Sequence, residues 1–208
     1  MENLLTSDLT IGITGGMGSG KSVVSRVLRC NGLRVFDCDY EAKKIMSEDS
    51  SVKKALVGKL GKSIYDEDGK LNRGKMAELL FCDVKIREYV NQVVHAAVRN
   101  DIKKWRKEIK GWFFIESAIL ATGGLIPFCD RIWLITSPLE ERIKRVMKRD
   151  SASLESIEKR IESQKNEFSQ LENKNTLVLE NDNITPLLPE VLKQTNKFIN
   201  HQTYTIPC

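Results

Sequence analysis

Five short runs of branched and aromatic residues punctuate the chain: Leu9–Thr14 (LTIGIT), residues 33–37 (LRVFD), Trp112–Glu116 (WFFIE), residues 131–135 (RIWLI) and Thr176–Glu180 (TLVLE). Each is rich in side chains that fit a pleated surface, and each reads as a short strand. Longer charged stretches separate them, starting with KSVVSRVLRC at Lys21–Cys30, whose apolar spacing predicts a helix. Strands that alternate with helices predict an α/β fold, a five-stranded parallel sheet with helices on both faces. Two stretches are longer than a simple crossover needs: about residues 47–110, and a charged helical segment at about 138–173. In an open α/β sheet ligands bind beyond the carboxyl ends of the strands, so insertions there are expected to form the walls and lid of a site.

The composition narrows the classes. The 208 residues suffice for one well-buried domain, and 41% hydrophobic content is ordinary for a globular chain. A net charge of +5 favours anionic partners. No basic stretch interleaved with aromatics is present, so no nucleic-acid partner is expected. Five cysteines, at 30, 38, 82, 129 and 208, form no C-x-x-C pair and no metal spacing with His95 or His201, which suits a reduced, cytoplasmic chain. The opening MENLLTSDLT lacks a basic segment followed by an apolar core, and no apolar run approaches membrane-spanning length, so neither a signal peptide nor a membrane partner is expected. There is no internal repeat or low-complexity linker, and the tail from His201 to Cys208 carries no readable signal.

The chemistry is concentrated after the first run, in GITGGMGSGKS, which holds five glycines in eleven residues. Gly15, Gly20, Lys21 and Ser22 fit G-x-x-x-x-G-K-[ST] in the strand–loop–helix setting the P-loop requires. The four fixed positions would arise by chance in a chain this long roughly once in a hundred. Without intervening side chains, the successive N–H groups of Gly15, Gly16, Met17, Gly18, Ser19 and Gly20 can wrap a phosphate, and the following helix N-terminus adds positive charge. Lys21 is expected on the β- and γ-phosphates of ATP and the Ser22 hydroxyl on Mg2+.

A P-loop alone does not separate kinases from GTPases. Neither Asn173-Lys174 nor Asn196-Lys197 is followed by aspartate two residues on, and Asp66-Glu67-Asp68-Gly69 reads as a turn. Asp37-Cys38-Asp39, at the end of the second run, is the positive signal. Two carboxylates at a strand end can divide the labour: Asp39 accepts the proton of an acceptor hydroxyl, while Asp37 orders Mg2+ or its waters. Aspartates also commonly end strands and begin turns, and that structural reading stays open here. A nucleoside or nucleoside monophosphate kinase remains the alternative at this point.

The motifs together resemble the dephospho-CoA kinase family over nearly the whole chain. TGGMGSGKS at 14–22 is similar to the family's T-G-G-I-G-S-G-K-[ST], and Asp37-Cys38-Asp39 to its D-A-D. Gly69-Lys70-Leu71-Asn72-Arg73 resembles G-x-L-[DN]-R, Asn91-x-x-x-His95 resembles L-N-x-x-x-H-P, Lys148-Arg149-Asp150 resembles Q-R-D, and Arg160-Ile161-Glu162-Ser163-Gln164 resembles R-I-x-x-Q. Two departures stand out: Ala96 follows His95 where the family has proline, and ESAILAT at 116–122 replaces D-x-P-L-L-x-E, keeping only the acid in kind. The resemblance implies one P-loop kinase domain over residues 1–208. Its core would comprise about 1–46, 111–140 and 174–208, with a substrate-binding insertion at about 47–110 and a lid at about 141–173. It implies phosphoryl transfer from ATP to the ribose 3′-hydroxyl of dephospho-CoA. Thr14, Asp39, Arg73, His95 and Glu116 are then expected to face the acceptor. Arg145 and Arg149, on the basic helix at 142–149, are expected to close over the phosphates, with Arg149 the leading candidate, and Asn181 to meet adenine. A monomer or small homo-oligomer is expected.

Overall fold

A computed structural model describes residues 8–150, 153–169, 171 and 175–199 of the chain. In chain order it runs β1 (Leu9–Thr14), α1 (Lys21–Cys30), β2 (Arg34–Asp37), α2 (Cys38–Glu48), α3 (Ser50–Leu60), α4 (Arg73–Cys82), α5 (Val84–Glu108) and β3 (Trp112–Glu116). It continues β4 (Arg131–Thr136), α6 (Leu139–Asp150), α7 (Leu154–Glu162), α8 (Lys165–Ser169), β5 (Thr176–Glu180) and α9 (Leu187–Ile199). Residues up to Phe36 and from Ile109 onward form one compact unit, and Asp37–Glu108 form a second.

The first unit carries the sheet, ordered β2-β3-β1-β4-β5. β1 lies at the centre, parallel to β3 on one side and β4 on the other, and β4 is parallel to β5. β1 and β3 are buried almost throughout, as runs without apolar–polar alternation require, whereas the edge strand β5 buries only Leu179. On one face Ile11, Ile13, Phe114, Trp133 and Ile135 meet Val24 and Leu28 of α1 and Leu187 and Val191 of α9. Phe114 meets Trp133 edge-on at 5.5 Å between ring centres, and truncating such a ring costs about 3–5 kcal/mol. β2 begins at Arg34 and β4 reaches Thr136, each one residue from the expected bound.

The second unit is helical. α5 buries Val90, Val94, Val98 and Ile102, one residue per turn, which gives its 25 residues a single apolar stripe. Side-chain caps fix the helix starts: Asp37 accepts from the Tyr40 N–H, Asp49 from Ser51 and Val52, and Asn72 from Lys75. Tyr65 and Tyr89 donate their hydroxyls to the carbonyls of Met46 and Ala55. Asp66-Glu67-Asp68-Gly69 is a turn, closed by the Gly69 N–H on the Asp66 carbonyl. This unit starts at Asp37, earlier than the boundary expected near residue 47. The last residue of β2 is itself the cap of α2, so no loop separates strand from helix.

Candidate active site

At the carboxyl edge of the sheet Ile13 pairs with Glu116 and Thr14 with Leu134, so β1, β3 and β4 end side by side. Strand order reverses at β1, the position where open α/β sheets bind ligands. The loop at 15–20 leads from there into α1. Gly18 has φ +80° and a Cβ there would meet the Arg142 carbonyl oxygen at 2.6 Å; Gly20 has φ +109° as the residue before the helix. Neither position suits an L side chain. α1 opens with no side-chain cap and no acidic residue in its first turn, so its partial positive charge faces the loop. The Thr14 and Ser19 hydroxyls are buried there without hydrogen-bond partners in this structure. Lys21 Nζ folds over the loop and donates to the carbonyls of Gly15 at 2.7 Å and Gly16 at 3.3 Å. Ser22 is exposed in the first turn of α1.

Side chains far along the chain hold the loop from outside. Arg142 Nε donates to the Met17 carbonyl at 2.9 Å, and Gln164 Oε1 accepts the Met17 N–H at 2.9 Å. Arg145 donates to the Gly18 carbonyl at 3.3 Å, the Ser137 hydroxyl at 3.1 Å, the Asn181 carbonyl at 3.1 Å and Asn183 Oδ1 at 2.6 Å. Asn181 Nδ2 donates to the Ser19 carbonyl at 2.8 Å. Burial holds the Arg142 guanidinium below its ordinary value. Asp182 accepts the Ile184 and Thr185 N–H groups, and these backbone bonds, Thr185 first, hold its carboxyl below the usual range. Between α1 and the segment after β5 lies a cleft of about 500 Å³, walled by Val23, Ile184, Leu187 and Leu188 with Arg145 and Asn183 at its polar side. Ile184 leaves 87% of its surface exposed there, an apolar wall with room for a flat ring.

Thr14, the loop residues, Lys21, Ser22, Glu116 and Asn181 therefore gather at one edge of the first unit. Glu116 is buried at the end of β3. Asn181 holds the loop through its side-chain amide. Arg149 directs its guanidinium at Asp150, at 2.6 and 2.8 Å, and Arg160 lies 3.7 Å from the same carboxylate. The hydrogen bond to Asp150 raises the Arg149 pKa, and the reciprocal bond lowers that of Asp150. The closest cationic neighbours of the loop are Lys21, Arg142 and Arg145. Arg142, Arg145 and Arg149 follow one another at i, i+3 and i+7 on α6, so the helical spacing alone does not tell the two loop braces from Arg149.

In the second unit Asp37 caps α2, and Asp39 is exposed in that helix's first turn. Arg73, exposed, opens α4. His95 is half-buried on α5; burial, then the charge of Arg99, holds its imidazole below 6.5.

A glycine loop running from the central strand of a parallel sheet into an uncapped helix, with a helical segment bearing arginines after β4, defines a P-loop kinase. A solved structure from Thermus thermophilus shares the fold at a TM-score of 0.75 and 29% identity, covering 95% of this chain and 99% of that one. The family model for dephospho-CoA kinase matches residues 9–186. A dephospho-CoA kinase of Porphyromonas gingivalis is 41% identical over 162 residues, 77% of this chain and 80% of that protein. One from Bacteroides fragilis is 37% identical over 187 residues, 89% and 90% of the two chains. The chain belongs to the dephospho-CoA kinase family, ATP-dependent kinases that transfer phosphate to a hydroxyl. A nucleoside or nucleoside monophosphate kinase is not favoured.

Proposed function

We propose that the first unit seats ATP and that Asp39 activates the ribose 3′-hydroxyl of dephospho-CoA, the γ-phosphate passing to that oxygen to give CoA and ADP. The observation that carries this reading is the loop at 15–20, whose backbone turns round an uncapped helix N-terminus with Lys21 folded over it. Phosphoryl transfer asks little covalent chemistry of the protein, so holding and neutralising the phosphates is most of the task. The loop amides other than those of Met17 and Ser19, which are bonded to Gln164 and Gly16, take the phosphate oxygens together with α1; Lys21 exchanges the carbonyls of Gly15 and Gly16 for the β- and γ-phosphates. The apolar cleft beside Ile184 and Leu187 suits the adenine ring. Arg149 leaves Asp150 to meet the phosphates when both substrates are present.

Among the described residues no group of three or more His, Cys, Asp or Glu side chains gathers to hold a metal. Magnesium takes most of its ligands from water and phosphate and needs only one or two protein oxygens, and the exposed Ser22 hydroxyl is such an oxygen. When bound, the ion offsets charge on the β,γ oxygens; Asp37 serves it through water. Asp39, exposed in the first turn of α2, accepts the hydroxyl proton. Arg73 and His95 contact the acceptor's phosphates or ribose. His95 does so as a neutral hydrogen-bonding group, since its pKa is lowered. Thr14 and Glu116 complete the acceptor side of the sheet edge. The cytoplasm is the proposed location, which Cys30, Cys38, Cys82 and Cys129, none of them in a disulfide, suit.

The test is to offer ATP with dephospho-CoA, adenosine and AMP separately and to identify the products. Transfer to dephospho-CoA alone is expected. Brisk transfer to AMP would replace the acceptor reading, and steady ATP hydrolysis indifferent to dephospho-CoA would remove the kinase reading.

A further inference from the structure

Gln164 closes the R-I-x-x-Q stretch and has no part in the chemistry above, yet its side chain reaches the P-loop. Met17, at the crown of the loop, is held on both sides of its backbone: Gln164 Oε1 accepts its N–H and Arg142 Nε donates to its carbonyl, each at 2.9 Å. A loop with so many glycines has many backbone states, and two such bonds select one of them.

Gln164 is itself tied down. The Glu167 N–H donates to the Gln164 carbonyl at 3.0 Å, which sets the turn between α7 and α8. The Glu167 side chain, 2% exposed, accepts the N–H groups of Ala121 and Thr122 and the Thr122 hydroxyl, the last two at 3.1 and 2.7 Å. A buried carboxylate with three donors on a single turn is a firm anchor, because leaving any donor unmet inside the protein is costly. The turn at 121–122 follows β3, so the segment 164–167 joins the end of a core strand to the crown of the loop.

We infer that Gln164 is a positioning residue for phosphoryl transfer, acting through Met17 to fix the aperture of the P-loop, with Glu167 anchoring it. Removing the bond to Met17 leaves the phosphate amides in place but no longer in one arrangement, and a misplacement on the order of 1 Å is enough to cost about a hundredfold in rate. The inference rests on the loop at 15–20 being the phosphate site.

Two substitutions test it, each read by steady-state kinetics and thermal melting. Gln164→Leu removes the acceptor; Gln164→Glu keeps an acceptor and adds a negative charge beside the loop. Gln164→Leu is expected to lower kcat/KM for ATP by about 10- to 100-fold, with KM for dephospho-CoA unchanged and melting close to wild type. Gln164→Glu keeps an acceptor for the Met17 N–H and is expected to lose less kcat/KM for ATP than Gln164→Leu, a partial rescue that a merely structural role would not give. Wild-type kcat/KM for ATP in Gln164→Leu overturns the inference. So does a loss that merely follows the melting temperature and is the same in both variants. Lys21→Ala run beside them separates the two readings. If it is inactive while Gln164→Leu is normal, the inference alone fails; if it is fully active, the phosphate site fails and the inference with it.

Discussion

The two units differ in how their candidate groups are held. In the first, the groups around the P-loop are already bonded to one another: Lys21 to Gly15 and Gly16, Arg142 and Gln164 to Met17, Arg145 to Gly18, and Asn181 to Ser19. In the second, Asp39 and Arg73 stand exposed near the starts of α2 and α4. A triphosphate needs many donors fixed in advance, because free backbone amides would lose entropy on binding and weaken it. An acceptor base needs only one carboxylate within reach of one proton.

The largest expected effect tests the prebuilt side. Lys21→Ala should abolish measurable turnover, since one charged donor aimed at developing charge is worth about 10²–10³ in rate by itself and this one also seats the nucleotide. A half-exposed loop side chain contributes little packing, so melting should stay near wild type. Near-normal turnover in this variant would remove the phosphate assignment.

Asp39→Asn is the matching test of the second unit. It keeps shape but cannot accept the proton, so turnover should fall by about 10² to 10⁴ while ATP binding and melting hold. Asp37→Asn should hurt less, because asparagine caps a helix about as well as aspartate and α2 stays anchored. Equal and mild losses from the two substitutions, in kinetics across a magnesium series, would reduce both residues to strand-end aspartates.

Arg145→Met sharpens the contrast, because here activity and stability should fall together. It strips four acceptors of their partner at Gly18, Ser137, Asn181 and Asn183. The expected cost is about 1–3 kcal/mol in a denaturant melt, with KM for ATP raised about tenfold. Arg149→Ala should show the reverse balance. Its pair with Asp150 is between neighbours on the surface and contributes little, so a loss of turnover without a loss of stability is expected. Unchanged stability in Arg145→Met would mean the loop does not depend on Arg145.

What the chain reveals of itself follows the same division. β3 has the bounds its apolar run predicts, because a strand covered on both faces leaves little choice of residue; β5 has its predicted bounds too, although it is an edge strand with Val178 half exposed. The P-loop is legible because phosphate wrapping demands glycine at fixed spacing. The braces on the loop are not legible: Gln164 lies 147 residues from Met17, and Asn181 lies 162 from Ser19. Polar side chains on a charged helix look alike until the fold shows which face meets the loop. Asn181 illustrates this, for its place after β5 was evident while its bond to the Ser19 carbonyl was not. Arg149 and Arg145 belong to the same basic run and diverge only because Asp150 sits next to the first and the loop next to the second.

The smallest expected effect concerns His95, the one candidate of the second unit whose surroundings change its chemistry. Burial, and then the positive charge of Arg99, lowers its pKa from 6.5. The unfolded chain, where the imidazole is hydrated, therefore binds more protons than the folded chain between that lowered value and 6.5. Stability must then fall as pH falls through this window and level off above it. His95→Gln removes the titrating group, so the wild-type denaturation midpoint, minus that of the variant, should decline as pH falls below about 6.5 and stay flat from 7 to 8. His201 is present in both proteins and cancels in the difference. The same state bears on the acceptor side: a neutral imidazole can hydrogen-bond a ribose hydroxyl but cannot balance a phosphate charge. KM for dephospho-CoA in the wild type should accordingly show no step across pH 6 to 8 that His95→Gln abolishes. A difference in midpoint that grows toward acid would mean that His95 is charged in the folded protein, and would move it from the ribose to the phosphates.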